Sequence, residues 1–102
     1  MIMIERRLDM DLVDHKLMAQ LMKINGYSVR SLKDDVNTEL RKRKLGYTIE
    51  HATIGHLRSG FRSYCRPETA EIVSELLKIP TTTLFRAKVS SVQRETQGDG
   101  AA

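Results

Sequence analysis

The stretch TIGHLRSG at residues 53–60 decides the fold of this chain. Its two aliphatic residues, Ile54 and Leu57, lie one helical turn apart and predict a short helix that buries both. Gly60 is expected to end this helix, because glycine readily takes the left-handed conformation found at helix C-termini. The helix is predicted to begin at Thr48 or Glu50.

The stretch PETAEIVSELLKIP at residues 67–80 predicts the next helix. Pro67 suits the first helical position, and Pro80 cannot continue the helix that it follows. Residues 81–85 are predicted to add one more turn, which places Leu84 and Phe85 in the core. The buried stripe of the helix consists of Ala70, Val73, Leu76 and Leu77.

Two helices are predicted upstream of these. The first covers residues 11–24 and stops at Asn25-Gly26, and the second begins at the N-cap Ser28 and extends to Lys44. Their apolar residues recur at three- and four-residue steps. These residues are Val13, Leu17, Met18, Leu21 and Met22 in the first helix, and Val29, Leu32, Val36 and Leu40 in the second.

The two ends of the chain show a different pattern. Apolar residues alternate over residues 2–8 and 85–89, which favours two short strands that could pair within one chain or between two, although the first segment also suits a frayed lead into a helix. Residues 93–102 are polar and glycine-rich and are predicted to be disordered. Residues 1–92 are therefore expected to form a single domain.

The positive charge of the chain is concentrated in its middle. Lys and Arg number 17 against 13 Asp and Glu, and residues 28–66 alone hold nine against four. Such a localised basic field suits a polyanion such as nucleic acid, although a solvated basic face would look the same. The single cysteine, Cys65, excludes an intramolecular disulfide and a thiolate zinc cage, so neither a metal nor a cofactor is expected.

These segments, in their order, resemble the helix-turn-helix domain of the lambda-repressor and Cro family, often called the XRE family. The resemblance covers about residues 14–85 and is closest in the last segment. It is carried by Gly26-Tyr27-Ser28 with Leu32, by residues 53–60, and by residues 67–80 with Leu84 and Phe85.

The resemblance implies a mainly α fold, a lambda-repressor-like domain of four to five helices with the third helix in the major groove of double-stranded DNA. It implies a phage or prophage transcriptional regulator that occupies an operator as a homodimer in the cytoplasm of a bacterial host. No small-molecule ligand is expected, because the single domain leaves no room for a sensor. No apolar run is long enough to cross a membrane, and the charged N-terminus does not resemble a secretory signal.

The third helix supplies the predicted base contacts. At 100° per residue, the direction opposite Ile54 and Leu57 holds only small or polar side chains, which let a helix approach the groove floor. His51 matches the position at which the family usually carries a base-reading side chain. The predicted base contacts are His51, Ala52, Thr53, Gly55 and His56.

Contacts to the DNA backbone are predicted from basic and hydroxyl side chains around this helix. The aromatic residues Tyr27, Phe61 and Phe85 are instead expected to pack in the core rather than stack on bases. The predicted backbone contacts are Arg30, Ser31, Arg41, Arg43, Lys44, Arg58, Ser59, Arg62, Ser63, Tyr64 and Arg66.

The sequence departs from the family between the second and third helices. The 22 positions from Leu32 to Ile54 are about twice what the family usually needs. Either the second helix is extended and carries residues 41–44 to the DNA backbone, or the extra segment is a solvated loop; Leu40 keeps the apolar period and favours the extended helix. Lys33 also replaces a small residue that normally packs against the third helix.

Other functions are weighed against DNA binding. An enzyme is not expected, because His51 and His56 lie about 140° apart around a helix and do not converge on one ligand. A protein-interaction module of antitoxin-like or host-directed type could use the same fold. A DNA-bending excision factor is a further alternative.

Overall fold

The computed structural model describes the backbone of residues 5–92 and the side chains of residues 9–87. Within these limits the protein is mainly helical, with a small antiparallel sheet of three strands. The order of elements is β1 (Glu5–Leu12), α1 (His15–Ile24), α2 (Val29–Lys42), α3 (His51–Ser59), β2 (Tyr64–Cys65), α4 (Pro67–Leu77), α5 (Thr81–Leu84) and β3 (Phe85–Val92). Ile2, Ile4 and the tail predicted to be disordered, residues 93–102, lie outside the described residues.

The predicted start of the first helix at residue 11 is wrong. Asp11 and Leu12 belong to β1, and α1 begins four residues later, after the N-cap Asp14. The Asp14 carboxylate accepts hydrogen bonds from the backbone N–H groups of Lys16 and Leu17, which fixes the first turn. Val13, predicted to be buried, is 55% exposed because it lies between the two elements.

The extended second helix is confirmed, although it is two residues shorter than predicted. Ser28 forms a capping box with Ser31, as each side chain accepts a hydrogen bond from the other residue's backbone N–H. The fourteen-residue helix α2 buries Leu32, Val36 and Leu40 on one face. It ends because Lys44 takes a left-handed conformation, with φ of 55°.

The later helices follow the predicted signals closely. Pro67 occupies the first turn of α4, and Gly60 ends α3 with φ of 84°. Leu84 and Phe85 are fully buried, as predicted. All five helices contribute to the core, which contains Met18, Met22, Leu32, Val36, Leu40, Ile54, Leu57, Ala70, Ile72, Val73, Leu77 and Leu84, with Leu12 from β1 and Phe85 from β3.

The sheet has the strand order β2-β1-β3, so the predicted two-stranded element is corrected to three strands. β1 pairs with β3 within one chain over eight residue pairs, from Glu5 opposite Val92 to Leu12 opposite Phe85. β2 adds Met10 opposite Cys65 and Asp11 opposite Tyr64 on the other side of β1. β2 therefore links the segment after α3 to the centre of the sheet. No helix among residues 5–92 is long and apolar enough to cross a membrane.

Candidate nucleic-acid interface

The start of α3 is positioned by one asparagine on α2. The Asn37 side chain accepts a hydrogen bond of 2.8 Å from the Ile49 N–H and donates one of 3.0 Å to the Ile49 carbonyl oxygen. This pairing fixes the connection between the helices just before the N-cap Glu50, which contributes no capping side-chain hydrogen bond. The Asn37 side chain thus anchors the extra residues that connect α2 with α3.

The end of α3 is packed against the start of α1. His15 Nδ1 lies 3.2 Å from the Arg58 carbonyl oxygen, within hydrogen-bond distance. A Cβ atom on Gly60 would lie 2.8 Å from the His15 ring, so this position has neither room nor a suitable φ for a side chain. The orientation of α3 is therefore fixed at both ends.

Small and polar side chains make up the solvent-facing part of α3. His51, Ala52 and Ser59 are exposed, and the predicted base contacts Thr53, Gly55 and His56 are half-buried. A Cβ atom on Gly55 would lie 4.0 Å from a Val29 methyl group, so this glycine faces the first turn of α2. The open strip of the helix consequently carries no aliphatic side chain larger than alanine.

A groove of about 310 Å³ lies beside the first turn of α3. It brings together three of the predicted backbone contacts, Arg62, Tyr64 and Arg66, with the predicted base contact Thr53. The Arg66 guanidinium lies 4.4 Å from the Tyr47 ring centroid, and the Arg62 guanidinium lies 5.5 Å from that of Tyr64. The rest of the groove is lined by Asp9, Tyr47, Thr48, Ile49, Glu50, Cys65 and Thr69.

A second depression, of about 400 Å³, lies beside the same connection. Arg41 and Lys44 line it together with Tyr47 and Thr48, which also line the first groove. The hydroxyls of Tyr47 and Thr69 share a hydrogen bond of 2.8 Å, and burial raises the pKa of the Tyr47 hydroxyl. Tyr47 and Thr48 therefore form a wall that the two grooves share. Basic side chains flank this wall, from the end of α2 in one groove and from the segment after α3 in the other.

Arg43 differs from its neighbours in the basic run. Its guanidinium lies 2.7 Å from a Glu75 carboxylate oxygen on α4 and 3.4 Å from Glu39, and the hydrogen bond to Glu75 is the main cause of its raised pKa. Lys42 also pairs with Glu39, at 3.4 Å. Of the predicted backbone contacts in this run, Arg43 is thus bound to α4, whereas Arg41 and Lys44 have no ion-pair partner among the described side chains.

The remaining predicted backbone contacts are distributed around α3. Arg30 and Arg58 are exposed and have no ion pair with a described side chain, and Ser63 is exposed beside β2. The Ser31 hydroxyl is occupied by the α2 capping box. Lys33 is half-buried, and its ammonium group lies 2.6 Å from an Asp34 carboxylate oxygen. This pair lowers the pKa of the Asp34 carboxyl and gives the half-buried lysine an opposite charge.

Sequence reasoning missed two features of this surface, a wall between the grooves and an exposed ring. Tyr47 and Thr48 form the wall between the two grooves, yet no periodicity or motif marks them. Phe61, expected in the core, is 80% exposed and lies against the His56 ring with a centroid distance of 4.7 Å. The signal for Phe61 was its place directly after Gly60, where α3 ends.

The side chains of this surface offer positive charge and hydrogen-bonding groups. Burial raises the pKa of the Cys65 thiol to about 12, so the group is neutral at physiological pH. Over the described part of the chain, no three His, Cys, Asp or Glu side chains are grouped so as to hold a metal ion. Comparisons with known protein families, with characterised proteins and with solved structures found no match to this chain.

Proposed function

We propose that this protein binds double-stranded DNA in a sequence-dependent manner, as a helix-turn-helix transcriptional regulator similar to phage Cro and repressor proteins. α3 enters the major groove, and the basic side chains on either side of it contact phosphates. In this role the protein occupies an operator and excludes RNA polymerase.

The clustering of unpaired cations around α3 carries the proposal. At the end of α2, Arg43 pairs with Glu75 of α4 and Lys42 pairs with Glu39 of its own helix. Lys16, Lys23 and Lys78 also lack an ion-pair partner among the described side chains, but they lie apart from one another in the sequence. Around α3, six cations have no ion-pair partner among the described side chains, and the carboxylates of Asp9 and Glu50 offset only part of their charge. These cations are Arg30, Arg41, Lys44, Arg58, Arg62 and Arg66.

The exposed strip of α3 suits a groove floor. Ala52 offers a methyl group for contact with a thymine methyl, and His51 and Thr53 offer polar atoms for base edges. All three lie in the first turn, which is the part of a recognition helix that reads bases. The fixed ends of α3 reduce the entropy that would be lost on binding.

Selection of bound sequences from a random duplex pool, followed by a salt titration, tests the proposal. We expect one enriched sequence, and a binding constant whose logarithm falls linearly with the logarithm of salt concentration. A failure to bind any duplex at low salt would refute DNA binding and support the protein-interaction alternative. A gel-mobility comparison of permuted duplexes would separate a DNA-bending factor from a simple operator binder.

Variants assign the contacts. Arg62→Ala is expected to weaken binding to all duplexes about equally and to reduce the salt slope by about 1, because it removes a phosphate contact. His51→Ala and His56→Ala are expected to change sequence preference. Lys23→Ala is the control, since this exposed lysine lies in the last turn of α1 outside both grooves.

A further inference from the structure

Phe61 is an exposed aromatic side chain held in place by its backbone. Its side chain is 80% exposed, although it directly follows the turn at Gly60. The Phe61 N–H donates a 3.3 Å hydrogen bond to the Ser59 hydroxyl, and the next N–H, of Arg62, donates one of 3.1 Å to the His56 carbonyl. The turn therefore presents the ring to solvent in a defined position.

The Phe61 ring is already paired with another ring. The His56 ring lies against it at a centroid distance of 4.7 Å and an interplanar angle of 49°. A wedge inserts between base steps, so a ring already paired with His56 is less suited to that role. Most of the Phe61 side chain remains exposed and open to an apolar partner.

The surroundings of Phe61 indicate the chemistry of that partner. Arg58 and Arg62 flank it in sequence, and neither has an ion-pair partner among the described side chains. An exposed apolar ring with two cations close by in the chain suits a surface where phosphates lie near an apolar group. In the major groove of DNA, the apolar group on the base edges is the C5-methyl of thymine.

We propose that Phe61 packs against the C5-methyl group of a thymine at the edge of the bound site nearest the C-terminus of α3. The contact sets a preference for thymine at that position, which is separate from the thymine that Ala52 contacts in the first turn of α3. This inference rests on the proposed DNA binding.

Replacing single thymines by uracil tests the contact, because the exchange removes one methyl group and leaves every hydrogen-bonding group unchanged. With the selected duplex, we expect uracil at one position to weaken binding of the unaltered protein about fourfold, which corresponds to the burial of one methyl group. Phe61→Ala is expected to bind the thymine duplex about tenfold more weakly and to lose the sensitivity to uracil at that position, while keeping any sensitivity at the thymine that Ala52 contacts.

Ile24→Ala is the matched control, because Ile24 is 77% exposed at the end of α1 and lies outside the grooves. This variant should keep both the affinity and the uracil effect. If a duplex is selected but uracil is harmless at every position, the Phe61 assignment is overturned while DNA binding stands. Loss of affinity in Phe61→Ala without a uracil effect would also overturn it. A failure to select any duplex would instead refute the proposed function itself.

Discussion

Gly60 is subject to two separate constraints, and a single methyl group would violate both. Its φ of 84° is unfavourable for any side chain, and a Cβ atom would lie 2.8 Å from the His15 ring. We expect Gly60→Ala to lower the free energy of unfolding by about 2–4 kcal/mol, from left-handed strain and overpacking together. Urea denaturation followed by circular dichroism measures the change.

Gly46 provides the control for the first constraint. It has a similar φ of 79°, but a Cβ atom there would meet nothing within 4 Å. Gly46→Ala should therefore cost only the conformational strain, about 1–2 kcal/mol. Adding His15→Ala to Gly60→Ala should recover the excess, and equal costs for the two glycine variants would contradict the packing argument.

The burial of the Cys65 thiol should make the stability of the protein depend on pH. The thiol has its pKa raised to about 12 in the folded protein, from 9.0 for the free group. Because only the unfolded chain ionises between these values, we expect stability to be full below pH 9 and to decline as the pH rises towards 12. Denaturation at pH 7 to 11 should show this decline, and Cys65→Ala should reduce it. Rapid alkylation of the native thiol at pH 8 would contradict it.

Some side chains have surroundings that the sequence alone does not show. Arg43 was assigned to DNA from its basic neighbours, but its partner Glu75 lies on another helix. Phe61 was assigned to the core from its residue type, although the turn at Gly60 directs it outward. Composition fixes what a side chain can do, whereas the fold decides which group it meets.

Among the elements, the connection between α2 and α3 depends on Asn37. Removing its side chain leaves the Ile49 N–H and carbonyl without their partner, so Asn37→Ala should destabilise the protein by about 1–3 kcal/mol. It should also weaken DNA binding, since the start of α3 is no longer held. Thermal unfolding and fluorescence anisotropy measure the two effects.

Thr38→Ala is the matched control for Asn37→Ala. Thr38 is the next residue of α2, and its hydroxyl only donates to the Asp34 carbonyl within the same helix. Its replacement should leave both stability and DNA affinity almost unchanged. Similar losses in the two variants would show that α2 itself, rather than the connection, is sensitive to change.

Two arginines at the end of α2, Arg41 and Arg43, should have different functions, the first in DNA binding and the second in stability. Arg41→Ala is expected to reduce DNA affinity and the salt slope with little effect on stability, because Arg41 lies beside the groove wall. Arg43→Ala is expected to leave DNA affinity nearly unchanged and to cost at most about 1 kcal/mol of stability, since its pairs are partly exposed. The reverse pattern would show that Arg43 leaves Glu75 to bind DNA.

Helix positions were predicted well where local signals fix them. Ser28, Gly60 and Pro67 act through the backbone of their own helix, so their effect is visible in the sequence. The start of α1 was misplaced because Asp11 resembles an N-terminal helix residue, although strand pairing holds it. Of the candidate site, the sequence predicted α3 and most of the cations, but not the wall at Tyr47 and Thr48.

For the whole molecule, the oligomeric state stays a prediction. β1 and β3 pair with each other within one chain, so their pairing does not require a second chain. β2 covers only Met10 and Asp11 of the other edge of β1. We expect a homodimer that binds a palindromic site, which light scattering at micromolar concentration and the symmetry of the selected sequence will test. A monomer bound to an asymmetric site would contradict it.

The pairing of β1 with β3 has a consequence for the order of folding. Its partners come from opposite ends of the described chain, and closing so long a loop costs more entropy than forming contacts between neighbouring helices. We expect the amide protons of α2, α3 and α4 to gain protection first in pulsed hydrogen exchange during refolding. Those of β1 and β3 should follow, so the last step of folding brings Leu12 to the buried core beside α4 and α5.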